Sequence, residues 1–229
     1  MTRFVRALSF GSFAEFIGCA RQEIQKDLTP LASIRRAVDF SGNPGGPKSS
    51  VKKMIDQNLV SLSKMYTSQF DENFRRSAQL ISRARRVFIL GSRSSFSVAY
   101  YLGSILNNLR PGVVLLQPGD FSQFIDLNDD DCLIAIGFAR YTRITCTTAE
   151  YFHKRGCPIV SITDSYNSPL ALSPEYVLSV FTSTSYLVAD AMAIAMYLVT
   201  AVAQETPDTS LARVETMEKL GDSFEAYFW

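Results

Sequence analysis

The chain has 229 residues, of which 47% are hydrophobic and 20% charged, with a formal net charge of +1. These are the proportions of a soluble globular protein built as one large domain, or a main domain with an appendage. Four cysteines without a Cys-x-x-Cys pair and a single histidine, His153, exclude a zinc-type ligand set and a disulfide framework.

A reducing, cytoplasmic setting fits that cysteine usage, and the polar N-terminus shows no signal-peptide pattern. No cofactor, metal or membrane is expected. The longest apolar run, residues 186–202, is interrupted by Asp190, so it reads as a buried helix and not as a membrane span of ~18–20 apolar residues. His153 reads as a solvated surface residue, because no carboxylate or second histidine stands at i+4 to make it a base or ligand.

Charge is unevenly spread. Residues 1–53 hold nine basic and four acidic side chains, a surplus of +5 against −4 for the rest. A basic N-terminal segment joined to an acidic body points to nucleic acid at one end, or to a solvated helical face. Within it, Phe4, Leu8, Phe10, Phe13, Phe16 and Ile17 recur near helical spacing, with a break at residues 9–12 and Ser12 placed to cap the next helix. Residues 41–50, rich in Gly and Pro, read as a linker. The expected division is residues 1–40, linker 41–50, and a main domain at 51–229.

After the linker, Val51, Met54, Ile55, Leu59, Leu62 and Met65 mark an amphipathic helix, and a second helical pattern covers 70–84. Strands at 86–90, 113–117, 132–136, 158–163 and 176–181 then alternate with helices at 95–107, 142–155, 185–204 and near 211–227. Nearly unbroken apolar strands separated by helices predict an α/β fold, a three-layer α-β-α sandwich around a parallel five-stranded sheet.

Two strands run into turns that open helices: Gly91-Ser92-Arg93-Ser94-Ser95 and Gly137-Phe138-Ala139-Arg140-Tyr141-Thr142. A helix N-terminus leaves backbone N–H groups unpaired and partly positive, so two such turns at the carboxyl ends of parallel strands form a candidate anion pocket. Ser92, Ser94, Ser95 and Thr142 offer hydroxyls, and Arg93 and Arg140 offer charge. The alternative is that the Ser and Thr side chains only cap their helices. Asp164 and Ser165 end a third strand nearby and serve either the ligand or a local turn.

These segments, with residues 3–16 and 162–171, resemble the sugar isomerase (SIS) domain, and more closely the RpiR family of bacterial transcriptional regulators. That family joins a helix-turn-helix to a SIS sensor. The resemblance implies a regulator that senses a phosphorylated sugar or related anion through Ser92, Arg93, Ser94, Ser95, Arg140, Thr142, Asp164 and Ser165. It also implies DNA as a partner. Residues 3–16 resemble the end of the reading helix and the start of the next, so Arg3 and Arg6 are the DNA-contact candidates and the reading helix is expected to be cut short.

The second turn departs from the family's Ser-x-Ser-Gly-x-Thr: both serines are absent, Arg140 stands at the glycine and Thr142 remains. Two alternatives follow, a sugar-phosphate isomerase and a ligand-free SIS dimerisation platform. For isomerisation, Glu150 and His153 lie about two and three helical turns beyond Thr142, so no catalytic residue is assigned. The apolar helix at 186–202 and the aromatic end Phe224, Tyr227, Phe228 and Trp229 predict a homodimer or homotetramer.

Overall fold

The computed structural model describes residues 5, 10–13, 15–17, 46–117, 119–180 and 187–226. The chain divides into two compact units, Met1–Gln57 and Asn58–Trp229. In the first, Val5 is helical and buried, and residues 10–12 interrupt the helical pattern. Ser12 Oγ accepts from the Glu15 N–H at 3.1 Å while the Glu15 carboxylate accepts from the Gly11 N–H at 2.8 Å. This reciprocal cap is the one anticipated at Ser12. Arg3, Arg6 and residues 41–45 lie outside the described residues.

Helix α1 runs Gly46–Met65, so five residues read as linker are helical. Pro47 sits in the first turn, where its missing N–H removes no helical bond. Toward its end Ser61 and Met65 are buried, but Leu59 and Val60 are exposed.

The second unit carries a parallel sheet of five strands: β1 (Val87–Gly91), β2 (Val113–Leu115), β3 (Cys132–Ile136), β4 (Ile159–Thr163) and β5 (Val177–Ser179), in the order β2-β1-β3-β4-β5. Helices α2 (Ser68–Arg83), α3 (Ser95–Leu109), α4 (Arg143–Lys154), α5 (Leu187–Glu205) and α6 (Pro207–Ser223) complete it. The three-layer fold expected from the alternation is the one observed.

Side chains alternate across each strand. Val87, Ile89, Ile134 and Ile136 face a core shared with α2, α3 and α5, while Phe88, Leu90, Leu133 and Ala135 face a second core with Phe152 of α4. Burial on both faces is why these strands read as continuous apolar runs. Among the described residues, the β2–β3 connection contains one turn of 3₁₀ helix, Ser122–Phe124. Phe124 fills that side, stacking on Tyr151 at 5.7 Å and meeting Phe152 edge-on at 5.3 Å.

Helix α5 is long and apolar enough to cross a membrane by composition alone. Its Ala191, Ile194, Ala195, Leu198 and Val202 are instead fully buried in the core, and the buried Asp190 accepts a hydrogen bond from Ser61. Two buried polar side chains tie the helices of this face to the sheet. Asn73 Nδ2 donates to the carbonyls of Pro174 and Val177 at 3.1 and 3.0 Å, and the Arg110 guanidinium donates to the Ile81 and Ala84 carbonyls at the end of α2. Arg110 thereby supplies donors to carbonyls of the last turn of α2.

Candidate functional site

Strand β1 lies between β2 and β3, so successive crossovers leave it in opposite directions. The crevice at the carboxyl ends of β1 and β3 is therefore the topological switch point, the place where open parallel sheets take ligands. The two Gly-led turns singled out above are the ones that flank it.

The first turn is held tightly by its own backbone. The N–H groups of Ser95, Phe96 and Ser97 donate to the carbonyls of Ser92, Arg93 and Ser94 at 3.2, 3.1 and 3.3 Å. A Cβ on Gly91 would lie 2.5 Å from the Ser95 carbonyl oxygen, so only glycine permits this approach. Arg93 takes φ +57°, the left-handed region, and its side chain is exposed. Ser94 occupies the N-cap position of α3, yet its side chain makes no capping hydrogen bond.

The second turn follows β3. Arg140 takes φ +68° and is exposed, and Thr142 is the N-cap residue of α4, again with no capping bond from its side chain. Capping therefore does not account for either hydroxyl. The hydroxyls of Ser94 and Thr142 are not spent on capping, although the first N–H groups of α3 are taken up by the carbonyls of residues 92–94. Across the crevice, Ser92 Oγ lies 2.9 Å from Thr145 Oγ1. One hydroxyl of that pair donates to the other, which leaves one proton for a further acceptor. Thr145, three residues past the cap and buried, was not anticipated; a hydroxyl in the first turn of α4 was its only trace in the sequence.

Ser95 is buried at the start of α3. Asp164 and Ser165, read as further ligand candidates, have internal partners. Asp164 Oδ2 accepts from the Ala139 N–H at 2.9 Å, and Oδ1 accepts from the Tyr141 hydroxyl at 2.5 Å. Burial pushes the Tyr141 phenol up to about 12, with the Asp164 bond adding to it, so Tyr141 is a neutral donor. Ser165 Oγ accepts from the Asn167 N–H at 3.0 Å, closing a local turn. Glu150 and His153 are both exposed on α4.

Among the described residues no group of His, Cys, Asp and Glu is placed to hold a metal ion. The thiols are poor nucleophiles: burial pushes Cys132 up to about 12 and Cys157 to about 11, so neither offers a thiolate near neutral pH. A depression of ≈ 460 Å³ lies beside the crevice between the β2–β3 connection and α4, lined by Phe121, Phe124, Ile125, Ile144 and Tyr151 with Arg155 at its edge. Its walls are mostly apolar and include neither Gly-led turn.

Comparison with known proteins identifies the fold and its family. The glutamine–fructose-6-phosphate aminotransferase (isomerizing) of Pyrobaculum aerophilum is 24% identical over 184 residues; the match takes in 77% of this chain and 30% of that protein. This chain therefore spans less than a third of that relative.

Among solved structures, the sugar isomerase domain of an RpiR transcription factor from Sphaerobacter thermophilus superposes with a TM-score of 0.64 at 24% identity, covering 76% of this chain and 98% of that one. The Vibrio vulnificus NanR protein, complexed with ManNAc-6P, superposes with a TM-score of 0.65 at 18% identity, covering 97% of this chain and 80% of that one. The SIS domain matches residues 80–204, more than half of the sequence and the stretch that holds β1 to α5, so the chain belongs to the SIS domain family.

Proposed function

We propose that this chain is the sensor part of a bacterial transcriptional regulator of the RpiR type, and that its SIS domain binds a phosphorylated sugar or a similar small anion at the β1/β3 crevice. The observation that carries the reading is the pair of helix N-termini whose hydroxyl residues, Ser94 and Thr142, do not cap. Arg93 and Arg140 add exposed positive charge beside them, and Ser92 with Thr145 adds a hydroxyl pair. Phosphate is the anion such a site holds with least rearrangement.

Signalling by the ligand requires that it prefer one of two arrangements of the protein. A second copy of the chain would supply them: Met196, Tyr197, Leu211, Leu220 and Phe224 on and just beyond α5 and α6 are exposed, which supports an interface. A monomeric mass in light scattering would remove that part. The DNA part rests on the basic N-terminal charge, with Arg3 and Arg6 as phosphate contacts that give salt-sensitive, sequence-tolerant affinity.

Calorimetric titration with ManNAc-6P, unphosphorylated ManNAc and inorganic phosphate tests the ligand. Binding is expected for ManNAc-6P and inorganic phosphate and not for ManNAc. Arg140→Ala is expected to weaken it more than Thr142→Ala, because a charge-assisted bond contributes roughly 1.5–3 kcal/mol against about 1 for a neutral one. Equal effects would place Arg140 away from the ligand. The second reading, an isomerase, is favoured by the likeness to the aminotransferase. It requires a base at the crevice, and turnover of a hexose 6-phosphate by the purified chain would establish it.

A further inference from the structure

The structure assigns Asp164 a role that its charge alone would not suggest: we propose that Asp164 is the positioning residue of the anion site, a latch that holds the second turn in its binding shape from 25 residues downstream. This rests on the ligand reading above.

A carboxylate beside an anion site is repulsive, so its presence needs a reason. Its two oxygens are taken up by donors on either side of Arg140: the Ala139 N–H on Oδ2 and the Tyr141 hydroxyl on Oδ1. Fixing residues 139 and 141 leaves Arg140 to absorb the bend between them, and it does so at φ +68°. That conformation is strained for a non-glycine residue and persists only when its surroundings impose it. The same bend leads directly into Thr142 and the open N-terminus of α4.

The latch is itself braced. The Thr163 hydroxyl donates to Ser168 Oγ at 2.8 Å, Ser168 Oγ accepts from the Leu170 N–H at 3.1 Å, and the Ser161 hydroxyl donates to the Leu170 carbonyl. Leu170 then packs so closely on Gly137 that a Cβ there would lie 2.8 Å from its Cδ1. Residues 161–170 thus hold the second turn at both ends, at Gly137 through packing and at residues 139 and 141 through Asp164.

The test uses the sign of the effect. If Asp164 merely sits nearby, Asp164→Asn removes a repulsive charge and tightens phosphate binding. As a latch, Asp164→Ala, which removes the same charge, takes away both acceptors and weakens binding by roughly tenfold despite the gain in electrostatics, whereas Asp164→Asn keeps the Ala139 N–H on its amide oxygen and only reverses the bond to the Tyr141 oxygen. Inorganic phosphate and ManNAc-6P are titrated into the full chain carrying Asp164→Asn, Asp164→Ala or Tyr141→Phe. Hydrogen exchange at the Ala139 N–H is followed in each. Tyr141→Phe keeps the Ala139 bond, so it is expected to lose less affinity than Asp164→Ala and to leave Ala139 protected. Asp164→Asn separates the lost charge from the lost acceptors, and Tyr141→Phe, which removes one of the two bonds, covers the case in which Asp164→Ala does not fold.

Weaker binding with faster Ala139 exchange supports the latch. Unchanged or tighter binding in Asp164→Ala, or in Tyr141→Phe where Asp164→Ala does not fold, overturns it. If the unmodified chain binds neither probe, the ligand reading fails and takes the affinity claim with it. The latch then stands if exchange quickens only in residues 138–142 of Asp164→Ala, and falls if it does not.

Discussion

The two turns at the crevice reach similar shapes by opposite means. The first is closed by its own backbone, with three successive 3₁₀-type bonds and a glycine pressed against a carbonyl four residues on. The second is closed from outside, by the Asp164 carboxylate, which holds the turn's own Ala139 N–H and Tyr141 hydroxyl, and by Leu170 packed on Gly137. The difference teaches that a strand-to-helix turn can be encoded in five consecutive residues or borrowed from a neighbouring strand. Only the first kind is resistant to changes elsewhere.

Substituting the two leading glycines breaks the comparison most directly. In Gly91→Ala the new Cβ meets backbone atoms, the Ser95 oxygen and carbon at 2.5 and 2.8 Å, and these move only if α3 moves. A loss of about 3 kcal/mol is expected, at the upper end for overpacking. In Gly137→Ala the close atom is the Leu170 Cδ1, the far end of a flexible side chain, which can rotate away. There about 1 kcal/mol is expected. Urea unfolding of both variants measures this, and equal losses would mean that the second turn is as rigidly built as the first.

That contrast also explains what could be read from the chain. Gly91-Ser92-Arg93-Ser94-Ser95 is legible because its backbone bonds and the close approach of Gly91 to Ser95 are local. The strands are legible for a similar reason: residues buried on both faces leave runs such as Val87–Leu90 and Cys132–Ile136, and these runs recur at crossover spacing. Ser12 is legible as a cap from its place at the break before an apolar helical pattern.

What was not legible depends on distance. Asp164 reads as a ligand candidate because it ends a strand, and nothing in the sequence says that Ala139 and Tyr141 take its oxygens. Thr145 gains its meaning only when Ser92, 53 residues earlier, comes within 2.9 Å. Gly46 and Pro47 read as linker because both residues disfavour helix interiors, but at a helix start neither penalty applies in full.

The opposite end of the sheet gives a second contrast, between scaffold and site. At the start of β3, Asp131 is fully buried and accepts from Arg85 at 3.0 and 2.7 Å and from the Asn128 N–H at 3.1 Å, with Arg86 at 3.3 and 3.0 Å. Burial alone would raise its pKa; the Arg85 and Arg86 hydrogen bonds overcome this and hold the carboxyl below its usual value. A carboxyl depressed in the folded state adds stability that is fully present above its unfolded pKa and is lost as pH falls through the folded one. Unfolding free energy is therefore expected to fall below about pH 4. Asp131→Asn should cost about 2 kcal/mol at neutral pH, less than an entirely buried pair because both arginines are partly exposed, and should flatten the acid limb of the stability curve. A limb that stays as steep would assign acid sensitivity to other carboxyls.

The smallest expected effect separates the turns most finely. Arg93 and Arg140 both occupy the left-handed region, so Arg93→Gly and Arg140→Gly each relieve strain, offset in part by the greater freedom of glycine in the unfolded chain. A net gain of about 0.5 kcal/mol is expected for each, together with weaker phosphate binding. The two gains have different origins. At Arg93 the bend is imposed by its immediate neighbours, so the gain should persist when Asp164 is replaced. At Arg140 the bend is imposed by Asp164 through residues 139 and 141, so in an Asp164→Ala background the turn relaxes and Arg140→Gly should gain nothing. A double-mutant cycle therefore gives a coupling energy of about 0.5 kcal/mol for Asp164 with Arg140 and none for Asp164 with Arg93. Equal coupling in the two cycles would show that both turns depend on the same brace.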